Sequence, residues 1–92
     1  MNRYITYSAM AKLQHLIVSN PGVVAIMMKF SKNANRFTIE YLQRVSYDIY
    51  ANDIMLCRNP TIYTNLNTFH KLHDAAIDFD YATDEFIITR DT

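Results

Sequence analysis

Glycine is nearly missing from this sequence, with one in 92 residues, and proline, cysteine and tryptophan number two, one and none. A single glycine excludes a glycine-rich phosphate cradle, which needs several residues without a Cβ where backbone meets phosphate. A single cysteine excludes an internal disulfide and fits a reducing compartment. Neither sign of charge dominates, with 9 Lys+Arg against 9 Asp+Glu. There is therefore no basic excess to hold nucleic-acid phosphates. Seven Tyr and five Phe are present, but base-stacking platforms sit in positively charged grooves, so no nucleic-acid partner is expected. The longest apolar run, Gly22 to Met28, is far short of the roughly 20 residues of a membrane helix. No basic segment precedes an apolar stretch at the start, so neither membrane anchor nor signal peptide is expected, and the expected location is the cytoplasm.

What is present is core-forming material. Half of the residues are apolar and 20% are charged, a balance that supports one packed core rather than disorder. Residues 1–92 read as a single domain, with no linker, repeat or low-complexity stretch.

Along the chain, Tyr4-Ile5-Thr6 suggests a short entry strand. Ser8 is placed to cap a helix whose apolar residues Ala9, Met10, Leu13, Leu16 and Ile17 recur at three- and four-residue steps. Asn20-Pro21-Gly22 ends it, because the residue before proline is pushed out of the helical region. Val23 to Phe30 is apolar on both alternating faces except at Lys29, as in a strand buried on both sides. A polar tip, Lys32-Asn33-Ala34-Asn35, separates it from a second strand. There Phe37, Ile39, Tyr41, Val45, Tyr47 and Ile49 alternate with Thr38, Glu40, Arg44, Ser46 and Asp48. Ala51-Asn52-Asp53 signals a turn and Ile54 to Arg58 another short strand.

Asn59-Pro60 then suggests a helix start, a capping side chain followed by proline, continued by Ile62, Leu66, Phe69 and Leu72. Ile77, Phe79 and Tyr81 alternate with Asp78 and Asp80, and Phe86-Ile87-Ile88 returns after a turn at 82–85. The expected order is β-α-β-β-β-α-β-β, a mixed α+β domain with two helices.

With its joints, this order resembles the HesB/IscA-like family of iron–sulfur cluster assembly proteins, the A-type carriers. Ile5-Thr6-Tyr7-Ser8-Ala9 is similar to the family's I-T-x-x-A entry into its first helix. Met28-Lys29-Phe30-Ser31, the tip and Phe37-Thr38-Ile39-Glu40-Tyr41 resemble its central hairpin. Ile77-Asp78-Phe79 followed by Phe86-Ile87-Ile88 resembles its I-D-[YF] … G-F-x-[IF] ending. The resemblance implies the family fold, and it also implies cluster binding through three cysteines, one at the hairpin tip and two in a C-terminal C-x-C.

Those ligands are not here. Cluster iron favours soft, charged thiolate, whereas Asn33, a neutral amide, stands at or near the tip position, and Arg90-Asp91-Thr92 ends the sequence without a C-x-C. The chain therefore reads as a divergent member with a vacated ligand site and no cofactor. Residues 59–76 look longer than their family counterpart, which suggests an enlarged second helix.

Other candidate chemistry is thin. Cys57, the only thiol, falls in a predicted strand whose neighbour Arg58 faces the other side, so the plain reading is a packed residue. His70-x-x-His73 places two imidazoles on one helical face, with Asp74, Asp78 or Asp80 as a conceivable third metal ligand. Asp78 and Asp80, followed by Asp84 and Glu85, read as solvated strand charges rather than an acid–base pair. No nucleophile–base order or nucleotide fingerprint is present, and no catalysis is expected.

The expected role is a non-catalytic binding or accessory module with a protein partner, possible homo-oligomerisation, and contacts through exposed aromatics and strand edges. Two alternatives stand beside it. One is a small structural subunit of a larger assembly, viral included, in which case the host cytoplasm is its location; frequent Asn, Ile and Tyr suit the AT-rich genome of a phage. The other is retained iron or cluster binding through Cys57 or His70 and His73.

Overall fold

The computed structural model describes residues 2–43 and 53–90. Among these it is a mixed α+β domain with two helices and six strands in two sheets. Helix α1 spans Tyr7–Val18 and is capped by Thr6, whose backbone is extended and whose hydroxyl accepts from the Ala9 N–H at 3.3 Å. Ser8, the residue expected to cap, instead lies exposed in the first turn. The cap falls two positions earlier because Thr6 is already anchored elsewhere. Its N–H donates to the Ile77 carbonyl at 2.9 Å, and its hydroxyl donates to Asp78 Oδ1 at 2.6 Å. The helix stops where the sequence says it should. Asn20 Nδ2 donates to the Leu16 carbonyl at 2.6 Å, and Gly22 then takes a φ of 93°, a conformation that only glycine adopts without strain.

Strands β1 (Val23–Ser31) and β2 (Arg36–Gln43) form the expected antiparallel hairpin, in register from Phe30 opposite Phe37 to Met27 opposite Glu40. Residues 32–35 are all exposed, and Asn35 takes a φ of 54°, a left-handed position that Asn tolerates well. Val45, Tyr47 and Ile49, and the turn residues Ala51 and Asn52, lie outside the described residues. Within them, Phe37 is buried, Ile39 half-buried and Tyr41 exposed.

Strand β3 (Ile54–Cys57) is antiparallel to β4 (Ile62–Thr64), and β4 runs parallel to β1, giving the sheet order β2-β1-β4-β3. Here the structure departs from the sequence reading. Asn59-Pro60 begins no helix; it sits in a turn closed by the Thr61 hydroxyl donating to the Arg58 carbonyl at 2.8 Å. Ile62-Tyr63-Thr64 is fully buried beside β1, an environment that favours β-branched and aromatic residues over helix. Helix α2 covers only Leu66–Lys71, capped by the Asn65 side chain, which accepts from the Thr68 N–H at 2.8 Å. The enlarged second helix is therefore corrected to a strand plus six helical residues. The expected entry strand is likewise reduced to a single parallel bridge from Ile5 to Ile77.

Strands β5 (Ala75–Asp80) and β6 (Glu85–Arg90) form the second sheet, an antiparallel pair with Phe79 opposite Phe86. The main core lies between α1, the inner face of the first sheet and this pair. Leu13, Ile26, Met28, Ile62, Leu72 and Ile77 are its largest fully buried apolar side chains. The odd positions of β1 point the other way, so Ala25 and Met27 gather with Tyr63 in a second buried cluster. This explains why β1 carries no polar alternation before Lys29.

Candidate functional site

The hairpin tip, where a ligand position is expected, carries no thiol. Asn33 stands exposed in the turn between β1 and β2. Cys57 is not near it. In the sheet register Cys57 lies opposite Ile62, and Ile62 opposite Ile26. Ile26 is five residues short of Ser31 along β1, so at about 3.3 Å per residue the thiol sits roughly 17 Å down the sheet from the tip.

Cys57 is half-buried and unpaired. It packs against the main core and lines a cleft of about 250 Å³ with Ile5, Thr6, Tyr7, Met10 and Asn59. The cleft wall holds no imidazole, amine or guanidinium to stabilise a thiolate.

The two histidines are brought together. His70, in α2, and His73, in the turn after it, are both exposed and line one cleft of about 460 Å³ with Arg3, Tyr4 and Phe69. The Arg3 guanidinium in that cleft opposes a divalent cation on electrostatic grounds. The proposed third ligands are otherwise engaged. Asp74 accepts from Arg90 at 3.3 Å, and Asp80 accepts from the Ala82 N–H at 3.0 Å to shape the turn. Asp78 accepts from Thr6 and from the Phe79 N–H at 2.9 Å. Among the described residues no three or more His, Cys, Asp or Glu side chains gather where they would hold a metal.

Asp78 thus departs from the expected solvated charge: it is half-buried and ties β5 to the start of α1. Glu85 instead pairs with Arg36 at 2.8 Å, and Asp84 lies 3.9 Å from Lys12. These pairs span β2 to β6 and α1 to the β5–β6 turn, so this group of carboxylates is used for cross-element contacts. No sequence signal marked Arg3 or Arg90. They are separated by almost the whole chain, and the pairing of Ile5 with β5, together with that of β5 with β6, brings them to one surface.

Compared with known proteins, the chain matches no family model and no curated protein. No helix is long and apolar enough to cross a membrane among the described residues.

Proposed function

We propose that this chain is a divergent HesB/IscA-like domain that has lost its cluster ligands and acts as a non-catalytic accessory module, binding a protein partner in the cytoplasm. The observation that carries the reading is the separation of its single thiol from the hairpin tip. Asn33 occupies the tip, and Cys57 lies roughly 17 Å away along the sheet, facing an apolar cleft. A thiolate so placed cannot share an iron with a donor at the tip, since metal–sulfur bonds are about 2.3 Å long.

The fold side of the reading is supported by how the residues of the resemblance meet. Ile5-Thr6 and Ile77-Asp78-Phe79 come from opposite ends of the chain. The Ile77 N–H donates to the Tyr4 carbonyl at 2.7 Å and the Thr6 N–H to the Ile77 carbonyl at 2.9 Å. The Thr6–Asp78 hydrogen bond closes the set. One joint therefore uses both sequence fragments, which gives a physical reason for the two to occur together.

Partner contacts would be made by exposed apolar side chains such as Tyr7 and Tyr81, 82% and 65% exposed. Anaerobic incubation with ferrous iron and sulfide tests the loss of ligands. Desalted protein is expected to carry no stable visible absorption band and no stoichiometric iron. A stable band that disappears in Cys57→Ser would overturn the reading.

A further inference from the structure

Two neighbouring clefts meet at Arg3 and His73. One, of about 390 Å³, is also lined by Asp74, Thr89 and Arg90. The other is the histidine cleft, walled by Tyr4, Phe69 and His70. The whole chain is neutral, yet among the described residues the ionic groups along these two clefts are two guanidiniums against one carboxylate, with two imidazoles beside them.

The guanidiniums are suited to an anion. Arg3 lies 5.2 Å from the centre of the Tyr4 ring, and its Nη2 is 3.4 Å from the His73 carbonyl oxygen. These contacts hold the side chain against the surface and leave most of its five N–H donors free for a ligand. Arg90 is paired with Asp74, but the two side chains are 61% and 73% exposed. A pair so exposed contributes little and exchanges readily for a stronger acceptor. Phosphate is such an acceptor, because its oxygens match the fork of a guanidinium.

The adjoining cleft supplies ring surface. Tyr4 and Phe69 pack with centroids 5.4 Å apart and planes tilted by 56°, and both rings are partly buried against the core. Fixed rings of this kind offer apolar surface beside which a flat heterocycle can pack.

We propose that the paired clefts form a binding site for a small phosphate monoester of a planar ring. The phosphate is held by Arg3 and Arg90, and the ring lies beside Tyr4, Phe69 and His70. The site is separate from the hairpin tip and from Cys57, so it stands whether or not the chain has lost cluster binding.

Adenosine monophosphate, inorganic phosphate and adenosine, each titrated at constant ionic strength into the full chain and followed by NMR, test this. The nucleotide is expected to give saturable shifts at Arg3, His70, His73 and Arg90, and to bind about ten-fold tighter than either half alone. Arg3→Gln, a surface change, is expected to weaken it about ten-fold, and Arg90→Gln similarly. Lys32→Gln, at the hairpin tip and outside both clefts, is expected to leave it unchanged. Failure to saturate by about 10 mM nucleotide, equal weakening by Lys32→Gln, or shifts centred elsewhere would overturn the proposal. Phosphate binding as tightly as the nucleotide would overturn the ring half of it.

Discussion

The hydroxyl of Thr6 and the carboxylate of Asp78 lie 2.6 Å apart, although 72 residues separate them in the chain. The same hydroxyl accepts from the Ala9 N–H. One side chain therefore caps α1 and ties it to β5, beside the backbone pairing of Tyr4 and Thr6 with Ile77. Thr6→Val keeps the shape but removes both bonds. Losing a cap costs about 1 kcal/mol, and losing a partner for a half-buried carboxylate adds roughly 1–2 kcal/mol. Chemical denaturation is expected to show a loss of about 2–3 kcal/mol. Thr6→Ser, which keeps the hydroxyl, is expected to cost less than half of that.

Thr68 offers a cleaner hydrogen-bond measurement. It is 2% exposed, sits inside α2, and its hydroxyl accepts from the Phe30 N–H at 3.0 Å, tying the helix to β1. Thr68→Val is nearly isosteric, so it leaves that amide without a partner at little change in packing. A destabilisation of about 1–3 kcal/mol is expected. Hydrogen exchange at the Phe30 amide should rise by more than global stability alone requires. Unchanged protection there would mean that the amide does not depend on Thr68.

The elements legible in the sequence are those whose signal is local. Helix α1 showed its period and its Asn20-Pro21-Gly22 stop, and the β1–β2 hairpin showed an apolar strand, a polar tip and alternation. The region after Cys57 was not legible. Ile62, Leu66, Phe69 and Leu72 fall at helical spacing, but Ile62 belongs to a strand that pairs in parallel with β1, far away in sequence. A long-range pairing overrode the local period. The candidate site divides the same way. The polar tip is visible in residues 32–35, and His70 with His73 is picked out by spacing. Their meeting with Arg3 depends on the Ile5–Ile77 bridge, which leaves no pattern in the chain, whereas Arg90 arrives opposite Ala75 through the pairing of β5 with β6.

Arg36 and Glu85 join the two sheets through a 2.8 Å contact, with side chains 49% and 36% exposed. Its position suggests a strut, but its exposure argues otherwise. Water and salt compete for both groups, and two long side chains lose freedom to make the pair. A double-mutant cycle on Arg36→Ala and Glu85→Ala is expected to give a coupling below about 1 kcal/mol, falling further in high salt. The sheets are held instead by the core beneath, where Phe37 of β2 and Phe86 of β6 belong to one buried cluster.

Leucines 66 and 72 distinguish the two accounts of the second helix. A helix running from Asn59 would bury both, because they share a spacing with Ile62 and Phe69. In the structure Leu66 is 45% exposed, since the short helix turns Thr68 inward, while Leu72 is 1% exposed in the main core. Leu72→Ala removes buried methylenes and leaves a cavity, so a loss of about 2–5 kcal/mol is expected. Leu66→Ala removes only a partly solvated side chain from a helix that alanine suits well, so less than about 1 kcal/mol is expected. Similar losses at the two positions in urea denaturation would restore the long helix and place Ile62 in it. A large gap between them would fix the strand at 62–64, and with it the parallel pairing that sets Cys57 far from the hairpin tip.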